Sequence, residues 1–264
     1  MVNAVRDLWL HRSFIAGNVK REFQSRYLNS LLGAAWTVIH PLSLILIYTL
    51  IFSQIMQAKL PGVDDRFGYS IYLCSGILTW GLFSEITGGA HSLFLENGNL
   101  LKKMNFPWLC LPVTQALNAC LNFAIIFGLF VSFLLLSGNF PGWVMLALIP
   151  MLALQLLFAT SLGVVLGVLN VFFRDVGHFY AVVLQFWFWL TPIVYPLSIL
   201  PEKLQSLIRL NPMTGLMEGY HTVLVHNELP AIQGLMPVAG LTIVFMALGT
   251  RLFRNHSNEI VDEL

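Results

Sequence analysis

Long stretches of apolar residues alternate with short polar segments along this chain. Residues 34–57 contain no Asp, Glu, Lys or Arg, and residues 104–173 carry no formal charge either. A helix that crosses a bilayer needs about 20 mostly apolar residues. The pattern therefore predicts an all-α integral membrane protein whose membrane-spanning helices form a single domain.

The uncharged stretches divide into six predicted spans. The stretch 104–173 is too long for one span, and the sequence Ser-Gly-Asn-Phe-Pro-Gly at 137–142 supplies a turn that splits it. The six predicted spans are residues 34–57, 67–91, 107–137, 143–173, 177–196 and 232–252.

The distribution of basic residues predicts the orientation, because Lys and Arg accumulate in cytoplasmic loops. With the N-terminus inside, the outer side holds only Lys59, Arg66, Lys203 and Arg209. The inner side then holds Arg6, Arg12, Lys20, Arg21, Arg26, Lys102, Lys103, Arg174, Arg251 and Arg254. Both termini are therefore predicted to be cytoplasmic.

Residues 5–29 are predicted to form an amphipathic helix in the inner membrane interface. Ile15, Val19, Phe23 and Tyr27 recur every four residues and would make an apolar stripe along it. The alternative is a basic tail that serves only to set the membrane topology.

Segment 92–105 lies on the cytoplasmic side in this topology, between the second and third spans. It begins with Ser-Leu-Phe-Leu, continues to the pair Lys102–Lys103, and is followed by the break Phe106–Pro107. A short helix here, parallel to the membrane, would offer polar and apolar faces to a partner protein. The alternative is a solvated loop whose lysines merely follow the positive-inside bias.

Segment 197–228 lies on the outer side and is interrupted by Pro201 and Pro212. Apolar residues spaced by three and four predict a short helix ending near Leu210 and a second one from Met213 to Leu224. Two such helices can dip back into the outer leaflet and cap a pathway. The alternative is a hairpin on the outer surface.

The fifth span is rich in aromatic residues, including four in succession at 186–189. Aromatic rings anchor helices at the membrane surface, and they also stack on sugar rings. The candidates for contact with a glycan are Phe179, Tyr180, Phe186, Trp187, Trp189 and Tyr195. The alternative for each ring is anchoring or packing.

Composition agrees with a membrane protein and narrows the chemistry. Of the 264 residues, 57% are hydrophobic and 10% are charged, whereas a soluble domain has about 25% charged residues. The net charge of +1 and the absence of a long basic run give no reason to expect a nucleic-acid partner. Cys74, Cys110 and Cys120 sit in apolar surroundings and are expected to be buried thiols. The first thirty residues lack the pattern of a cleavable signal peptide.

The sequence contains no nucleotide-binding loop and neither GxSxG nor HExxH. Glu218 and Glu228 flank His221 and His226, and the five-residue spacing of the two histidines fits a zinc pair poorly. Glu85 is the one carboxylate near the interior of a span, which makes it a functional candidate, although pairing or snorkelling would also explain it. We therefore expect no catalytic residue, metal or cofactor in this chain.

Five motifs in order along the chain resemble the permeases of polysaccharide ABC exporters. These permeases are the ABC-2 type transmembrane subunits of O-antigen, capsule and teichoic acid export. The motifs are Arg26–Gly33 with Trp36 and Pro41-Leu42; Asn99–Lys103 with Phe106-Pro107 and Leu111-Pro112; Arg174-Asp175-Val176; Trp189–Pro196; and Asn211-Pro212-Met213. The match extends over nearly the whole chain.

The resemblance implies a homodimer of permeases bound to two copies of a separate ATPase subunit, which binds ATP and Mg²⁺. It implies a lipid-linked polysaccharide as substrate, moved from the inner leaflet through a channel at the dimer interface in the cell inner membrane. O-antigen is the first choice, capsule the second and teichoic acid the third.

The resemblance also assigns roles to residues. Segment 92–105 would be the coupling helix, and its ATPase-coupling residues would be Glu96, Asn97, Asn99, Lys102 and Lys103. The re-entrant helices at 197–228 would form an outer gate that includes Asn211, Pro212 and Met213.

Two other functions remain open from the sequence. One is an ABC-2 exporter of a drug or a small lipid. The other is an intramembrane enzyme that acts on lipid-linked sugars through Glu85 or His91.

Overall fold

The computed structural model describes residues 6, 8–25, 35–51, 67–103 and 107–263, and within these ranges it contains helices and no β-strand. This confirms the predicted all-α class. The helices are α1 Arg12–Ser25, α2 Trp36–Tyr48, α3 Gly68–Ala90, α4 Leu93–Glu96, α5 Gly98–Lys103, α6 Cys110–Ser137, α7 Leu148–Phe172, α8 Val176–Trp189, α9 Glu202–Ile208, α10 Pro212–Leu224, α11 Ile232–Asn255 and α12 Ser257–Glu263.

Three helical stretches in the described ranges are long and apolar enough to cross a membrane. They are Cys110–Ser137, Ile232–Asn255 and the continuous stretch Gly142–Phe172, in which a 3-10 helix precedes α7. The total of six spans stays a prediction. Parts of the predicted segments, at 26–34, 52–66 and 104–106, lie outside the described residues, and so do Tyr27 and Phe106.

Helix α3 is the centre of the bundle, since most of its residues are buried. It packs against α2, α6, α7, α8 and α10. Its small and polar residues make it less apolar than α6 and α7. A helix surrounded by protein does not need a continuous apolar surface, because it faces few lipid chains.

Small residues bring α7 close to α3. A Cβ atom on Gly163 would lie 2.7 Å from the Cβ of Ala90, and one on Gly167 would lie 2.7 Å from the carbonyl oxygen of Ala90. Real Cβ atoms do not approach other atoms so closely, so only glycine fits at either position. The pair is therefore a close helix crossing of the GxxxG type.

The turn between α6 and α7 follows from its glycines. Gly138 ends α6 with a φ of 78°, and Gly142 has a φ of 63°. Both angles lie in the left-handed region, which glycine adopts without steric cost. The chain therefore reverses at the Ser137–Gly142 sequence.

Helix α8 is shorter than the predicted span 177–196. It ends at Trp189, and residues 190–196 continue as turns. Pro192 lacks the N–H group that would continue the helix. The hydroxyl of Thr191 instead donates to the carbonyl oxygen of Trp187 at 2.7 Å.

One end of the bundle gathers the segments that the sequence analysis placed inside the cell. Phe94, Leu111, Val171, Phe253 and Ile260 form one buried cluster, so α4, the start of α6, the end of α7, the end of α11 and α12 meet there. We call this the basic end. The chain segments at 190–210 lie at the other end of the bundle, which we call the opposite end.

Candidate coupling and gating sites

The predicted coupling segment 92–105 contains two short helices, α4 and α5, rather than one. The break falls at Asn97, whose φ of −105° and ψ of 16° are not helical, immediately before Gly98. The side-chain Nδ2 of Asn97 donates to the carbonyl oxygen of Leu93 at 2.8 Å. This bond turns the chain between the two helices and leaves α4 only four residues long.

The apolar face of α4 and α5 is anchored in the bundle. Phe94 is fully buried between α7 and α11, and the ring of Phe253 lies 5.5 Å from it. Leu93 and Leu101 pack on the same cluster. The segment is therefore held by the helices of this chain itself and is not a free loop.

The polar face of the same segment is open. Glu96, Asn99 and Lys102 are exposed, and Asn97 is half-buried. The side chain of Lys103 lies outside the described part of the structure. Exposed polar residues on a firmly anchored segment are suited to contact a partner protein.

A polar cleft of about 700 Å³ adjoins this surface, between α1, α3, α4 and α6. Glu22, Glu85, Glu96 and Arg21 line it. Asn122 donates to the Oε2 of Glu85 at 2.9 Å, and Asn118 donates to the Oε2 of Glu22. Glu85 thus serves as an acceptor between α3 and α6, and Glu22 attaches α1 to α6.

Asn170 on α7 joins two other helices at the basic end. Its Nδ2 donates to the carbonyl oxygen of His91, directly after α3, and its Oδ1 accepts from the N–H of Gly177 at the start of α8, both at 2.9 Å. The ring of His91 lies against Gly177, where a Cβ atom would come within 2.5 Å of it. The start of α8 is therefore fixed to His91, which directly precedes the coupling segment.

The six aromatic candidates do not form one group. Phe179, Phe186 and Trp189 are 70%, 66% and 59% exposed and lie along one face of α8, whereas Tyr180 is only 5% exposed. Trp187 is partly buried, and its ring makes an edge contact with Phe83 at 5.2 Å.

Tyr195 lies beyond the end of α8, where its hydroxyl donates to the carbonyl oxygen of Trp189 at 2.8 Å. The tyrosine therefore closes the turn that follows the helix. Of the six rings, Phe179, Phe186 and Trp189 are the ones presented on a single open face.

Asn211 is the connecting residue at the opposite end. Its Oδ1 accepts from the backbone N–H of Met213 at 3.0 Å and from the indole Nε1 of Trp187 at 2.7 Å. Its Nδ2 donates to the carbonyl oxygen of Leu190 at 3.1 Å and to the hydroxyl of Thr191 at 2.9 Å. The residue caps α10, with Pro212 at its first position, and joins it to the end of α8.

Helix α10 lies inside the bundle rather than on its surface. Met213, Leu216, Met217, Tyr220 and Val223 are all at most 1% exposed. The helix packs between α3, α7 and α11. In contrast, Leu204, Leu207 and Leu210, in and just after α9, are exposed, so the two predicted short helices of segment 197–228 differ in environment.

Gln155 on α7 fixes α10 in place. Its Nε2 donates to the carbonyl oxygen of Thr79 on α3 at 2.7 Å, and its Oε1 accepts from the hydroxyl of Tyr220 at 2.7 Å. All three residues are buried. A buried amide in an apolar helix thus links three helices, as polar residues in membrane bundles commonly do.

A second pocket, of about 320 Å³, lies beside α10 at the opposite end. Glu218, His221 and His226 line it together with Tyr72, whose ring stacks on His221 at 3.7 Å. Burial lowers the pKa of His221 to about 3. Burial raises the pKa of Glu218, and this effect exceeds the opposing influence of Arg209. Within the described residues, no cluster of three His, Cys, Asp or Glu side chains fits a metal ion.

The sequence analysis missed Gln155, Asn170 and Tyr72. The first two are neutral amides within an otherwise apolar stretch, so they carry no charge that marks them. An amide in hydrocarbon needs a hydrogen-bond partner, so the presence of Gln155 and Asn170 in an apolar helix predicts bonds to neighbouring helices. Tyr72 carried none, because tyrosine is common in membrane helices.

A model of the ABC-2 type transporter family matches residues 15–225, which include the coupling segment, α8 and both helices of segment 197–228. This chain belongs to the ABC-2 type transporter family. Membership agrees with the resemblance found in the sequence and identifies a membrane transport protein. It gives no support to the reading as an intramembrane enzyme.

Curated relatives of this ABC-2 transporter carry names from polysaccharide export. It is 31% identical to the O-antigen export system permease protein RfbA of Myxococcus xanthus, over the full length of both chains. It is 28% identical to RfbA of Klebsiella pneumoniae over 79% of each chain. It is 20% identical to the polysialic acid transport protein KpsM of Escherichia coli, over 91% of this chain and 92% of the relative.

Proposed function

We propose that this ABC-2 transporter is the permease subunit of an ATP-driven exporter of lipid-linked polysaccharide, with O-antigen as the first candidate. It acts as a homodimer in the cell inner membrane, with both termini in the cytoplasm. Two copies of a separate subunit bind and hydrolyse ATP with Mg²⁺. The observation that carries the proposal is the similarity to an O-antigen export permease over the whole length of both chains.

The coupling segment supports the part assigned to the ATPase. An ATPase subunit needs a surface that is exposed yet firmly attached to the membrane helices. Phe94 supplies the attachment, while Glu96, Asn99 and Lys102 supply the exposed polar contacts. Displacement of this segment is passed directly to α3, because only His91 and Ser92 separate α3 from α4.

The exposed face of α8 supports a pathway between two copies. A hydrated glycan cannot cross hydrocarbon unaided, so protein must line its path. Phe179, Phe186 and Trp189 present a row of rings on the outside of the protomer. Rings in such a row can stack on successive sugars. Tyr180 and Trp187 face the interior of the protomer and are assigned to packing.

Reversal of charge on the coupling segment tests the proposal. The variant Lys102→Glu with Lys103→Glu is expected to lose polysaccharide export and to stimulate the ATPase subunit less than wild type. The reason is that the two new carboxylates are repelled by the ATPase surface that binds the lysines. Lys203→Glu is the matched control, since Lys203 is exposed on α9 at the opposite end. Normal export and normal ATPase stimulation in the double variant would show that the coupling assignment is wrong.

The substrate is tested separately from the coupling. Cells that lack the chain are expected to accumulate lipid-linked O-antigen on the inner leaflet of the inner membrane. The wild-type chain is expected to restore O-antigen at the cell surface. Restored resistance to a drug, with O-antigen export unchanged, would assign the chain to the other class of ABC-2 exporters.

A further inference from the structure

The two ends of helix α8 are each held by the side chain of one asparagine. Asn170 holds the first turn, at Gly177, and Asn211 holds the last turn, at Trp187 and Leu190. Neither asparagine belongs to α8. Each one reaches it from a neighbouring segment and at the same time bonds to a different part of the transport machinery.

At the basic end the other bond of Asn170 goes to the coupling side. The amide accepts from α8 through Oδ1 and donates to His91 through Nδ2, both at 2.9 Å. His91 and Ser92 are the only residues between α3 and α4. A movement of the coupling segment therefore pulls on a residue that is bonded to the same amide as α8.

Contact between His91 and Gly177 reinforces this link. A Cβ atom at Gly177 would lie 2.5 Å from the Cδ2 of His91, so the imidazole rests directly on the backbone of α8. The amide bond and this contact act on the same turn of the helix.

At the opposite end Asn211 has the equivalent arrangement. Its Oδ1 caps α10 through Met213, and the same oxygen accepts from Trp187 on α8, while Nδ2 donates to Leu190. The amide thus ties the end of α8 to the start of the buried helix α10. A shift or rotation of α8 moves the anchor on which α10 begins.

The helix between the two asparagines is continuous. From Val176 to Trp189 it has no proline, and after Gly177 it has no glycine. An uninterrupted helix of this length transmits displacement along its axis with little bending.

We propose that Asn170 and Asn211 are positioning residues that connect the coupling segment to α10 through α8, so that movement at the ATPase contact opens the opposite end. The proposal rests on the proposed function. The primary amide suits both positions because it donates and accepts from one planar group. An ionised carboxylate of the same size only accepts, so it cannot make both bonds.

The experiment uses the permease reconstituted with its ATPase subunit in proteoliposomes, and it measures ATP hydrolysis and polysaccharide export in the same sample. Two variants remove the links, Asn170→Ala and Asn211→Ser. Serine also caps helices well, so Asn211→Ser keeps the start of α10 intact while it loses the reach to Trp187 and Leu190. Asn255→Ala is the control, because Asn255 is an exposed asparagine at the end of α11.

Each link variant is expected to keep ATP hydrolysis near the wild-type rate and to lose export by about tenfold. Because the two links act in series, the double variant is expected to lose no more export than the worse single variant. A Leu207→Cys substitution in a Cys120→Ser background supplies a thiol probe on α9. The reactivity of this thiol is expected to change when nucleotide binds if both asparagines are present, and to stay constant in both link variants. Leu207 is exposed on α9.

Several results would overturn the inference. Wild-type export in Asn211→Ser would show that the bonds to α8 are dispensable. Additive losses in the double variant would show that the two asparagines act independently. Equal losses of ATP hydrolysis, export and thermal stability would show that both residues have only structural roles. A wild-type complex that hydrolyses ATP but exports no polysaccharide would instead contradict the proposed function.

A second pair of variants tests the contact with His91. Gly177→Ala is expected to push the imidazole away and to uncouple export from hydrolysis as Asn170→Ala does. Gly88→Ala is its matched control, because a Cβ atom at Gly88, on the side of α3 that faces α8, would meet Leu184 at an ordinary 3.9 Å. Equal export by the two variants would contradict the role of this contact.

Discussion

The opposite end is packed as the interior of a protein, whereas the basic end keeps a polar surface open. Around α10, Gln155 and Tyr220 are buried and bonded to each other, and Gly215 on α10 touches Gly234 on α11. Around α4 and α5, Glu96 and Lys102 are exposed on helices of four and six residues. The basic end is therefore suited to bind a partner protein, and the opposite end is suited to close a pathway.

The two ends also differ in how their polar residues contribute to the stability of the fold. Buried polar bonds and close helix crossings stabilise the folded state, because their loss leaves unpaired groups or overlapping atoms. Exposed polar residues contribute little to it. Substitutions of buried residues around α10 should therefore alter unfolding, and those of exposed polar residues on α4 and α5 should alter association with the ATPase.

The largest effect is expected from Gly215→Ala. A Cβ atom there would lie 1.9 Å from the carbonyl oxygen of Gly234, which is backbone and cannot rotate away. We expect a loss of about 3 kcal/mol in the free energy of unfolding, measured in detergent micelles. Gly240→Ala, on α11 with no atom within 4 Å of its Cβ position, is the control. Equal stability of the two variants would show that α10 and α11 do not cross as described.

Acidification is expected to destabilise the opposite end through His221. Burial lowers the pKa of this imidazole to about 3, so the folded state resists a proton that the unfolded state accepts below about pH 6.5. Stability is therefore retained above pH 6.5 and lost as pH falls below it, by about 2 kcal/mol at pH 5. Glu218 acts in the opposite sense, because its pKa is raised.

The His221 effect is measured as a difference in slope. Unfolding of wild type and His221→Gln is followed between pH 7 and pH 5, and the wild type is expected to lose more stability across this range. His226→Gln, an exposed residue beside the same pocket, is the control. Parallel curves for wild type and His221→Gln would refute the prediction.

A smaller effect is expected from Gln155→Leu, which leaves the hydroxyl of Tyr220 and the carbonyl oxygen of Thr79 without this partner. Bonds between membrane helices are worth about 1 kcal/mol, and we expect a loss of this size in thermal or denaturant unfolding. Adding Tyr220→Phe to Gln155→Leu should restore part of the loss, because it removes an unpaired group. A further loss in the double variant would argue against the observed network.

The smallest change in stability is expected from Lys102→Gln at the basic end, within about 0.5 kcal/mol of wild type. The same variant should bind the ATPase subunit more weakly, because Lys102 is exposed on the coupling segment. Association is measured by titration of the purified ATPase. A stability loss as large as that of Gln155→Leu would show that the two ends do not differ in this way.

The sequence pattern predicted the helical class and much of the local structure. The spacing from Met213 to Leu224 predicted a helix, and its apolar residues form the buried face of α10. The glycines and the proline of 137–142 predicted the turn after α6. These features depend on neighbours in the chain, which a single sequence displays directly.

Features that join distant segments were not predictable in the same way. Three of the four bonds of Asn211, those to Trp187, Leu190 and Thr191, require the end of α8 to lie beside it. The predicted span 177–196 placed that end several residues too late. The separation of Tyr180 from Phe179 likewise depends on which side of α8 meets α3. Aromatic residues around the whole helix gave no periodic signal to decide it.

Helix α3 also has a consequence for the biogenesis of the protein. Its buried serines and threonines, among them Ser70, Ser75 and Thr79, make it less hydrophobic than α6 and α7, so transfer of α3 alone into lipid is less favourable. Much of the protein that covers α3 belongs to α7 and α10, which are synthesised later. Stable insertion of the central helix therefore awaits the C-terminal half of the chain, and truncated products should be degraded rather than retained in the membrane.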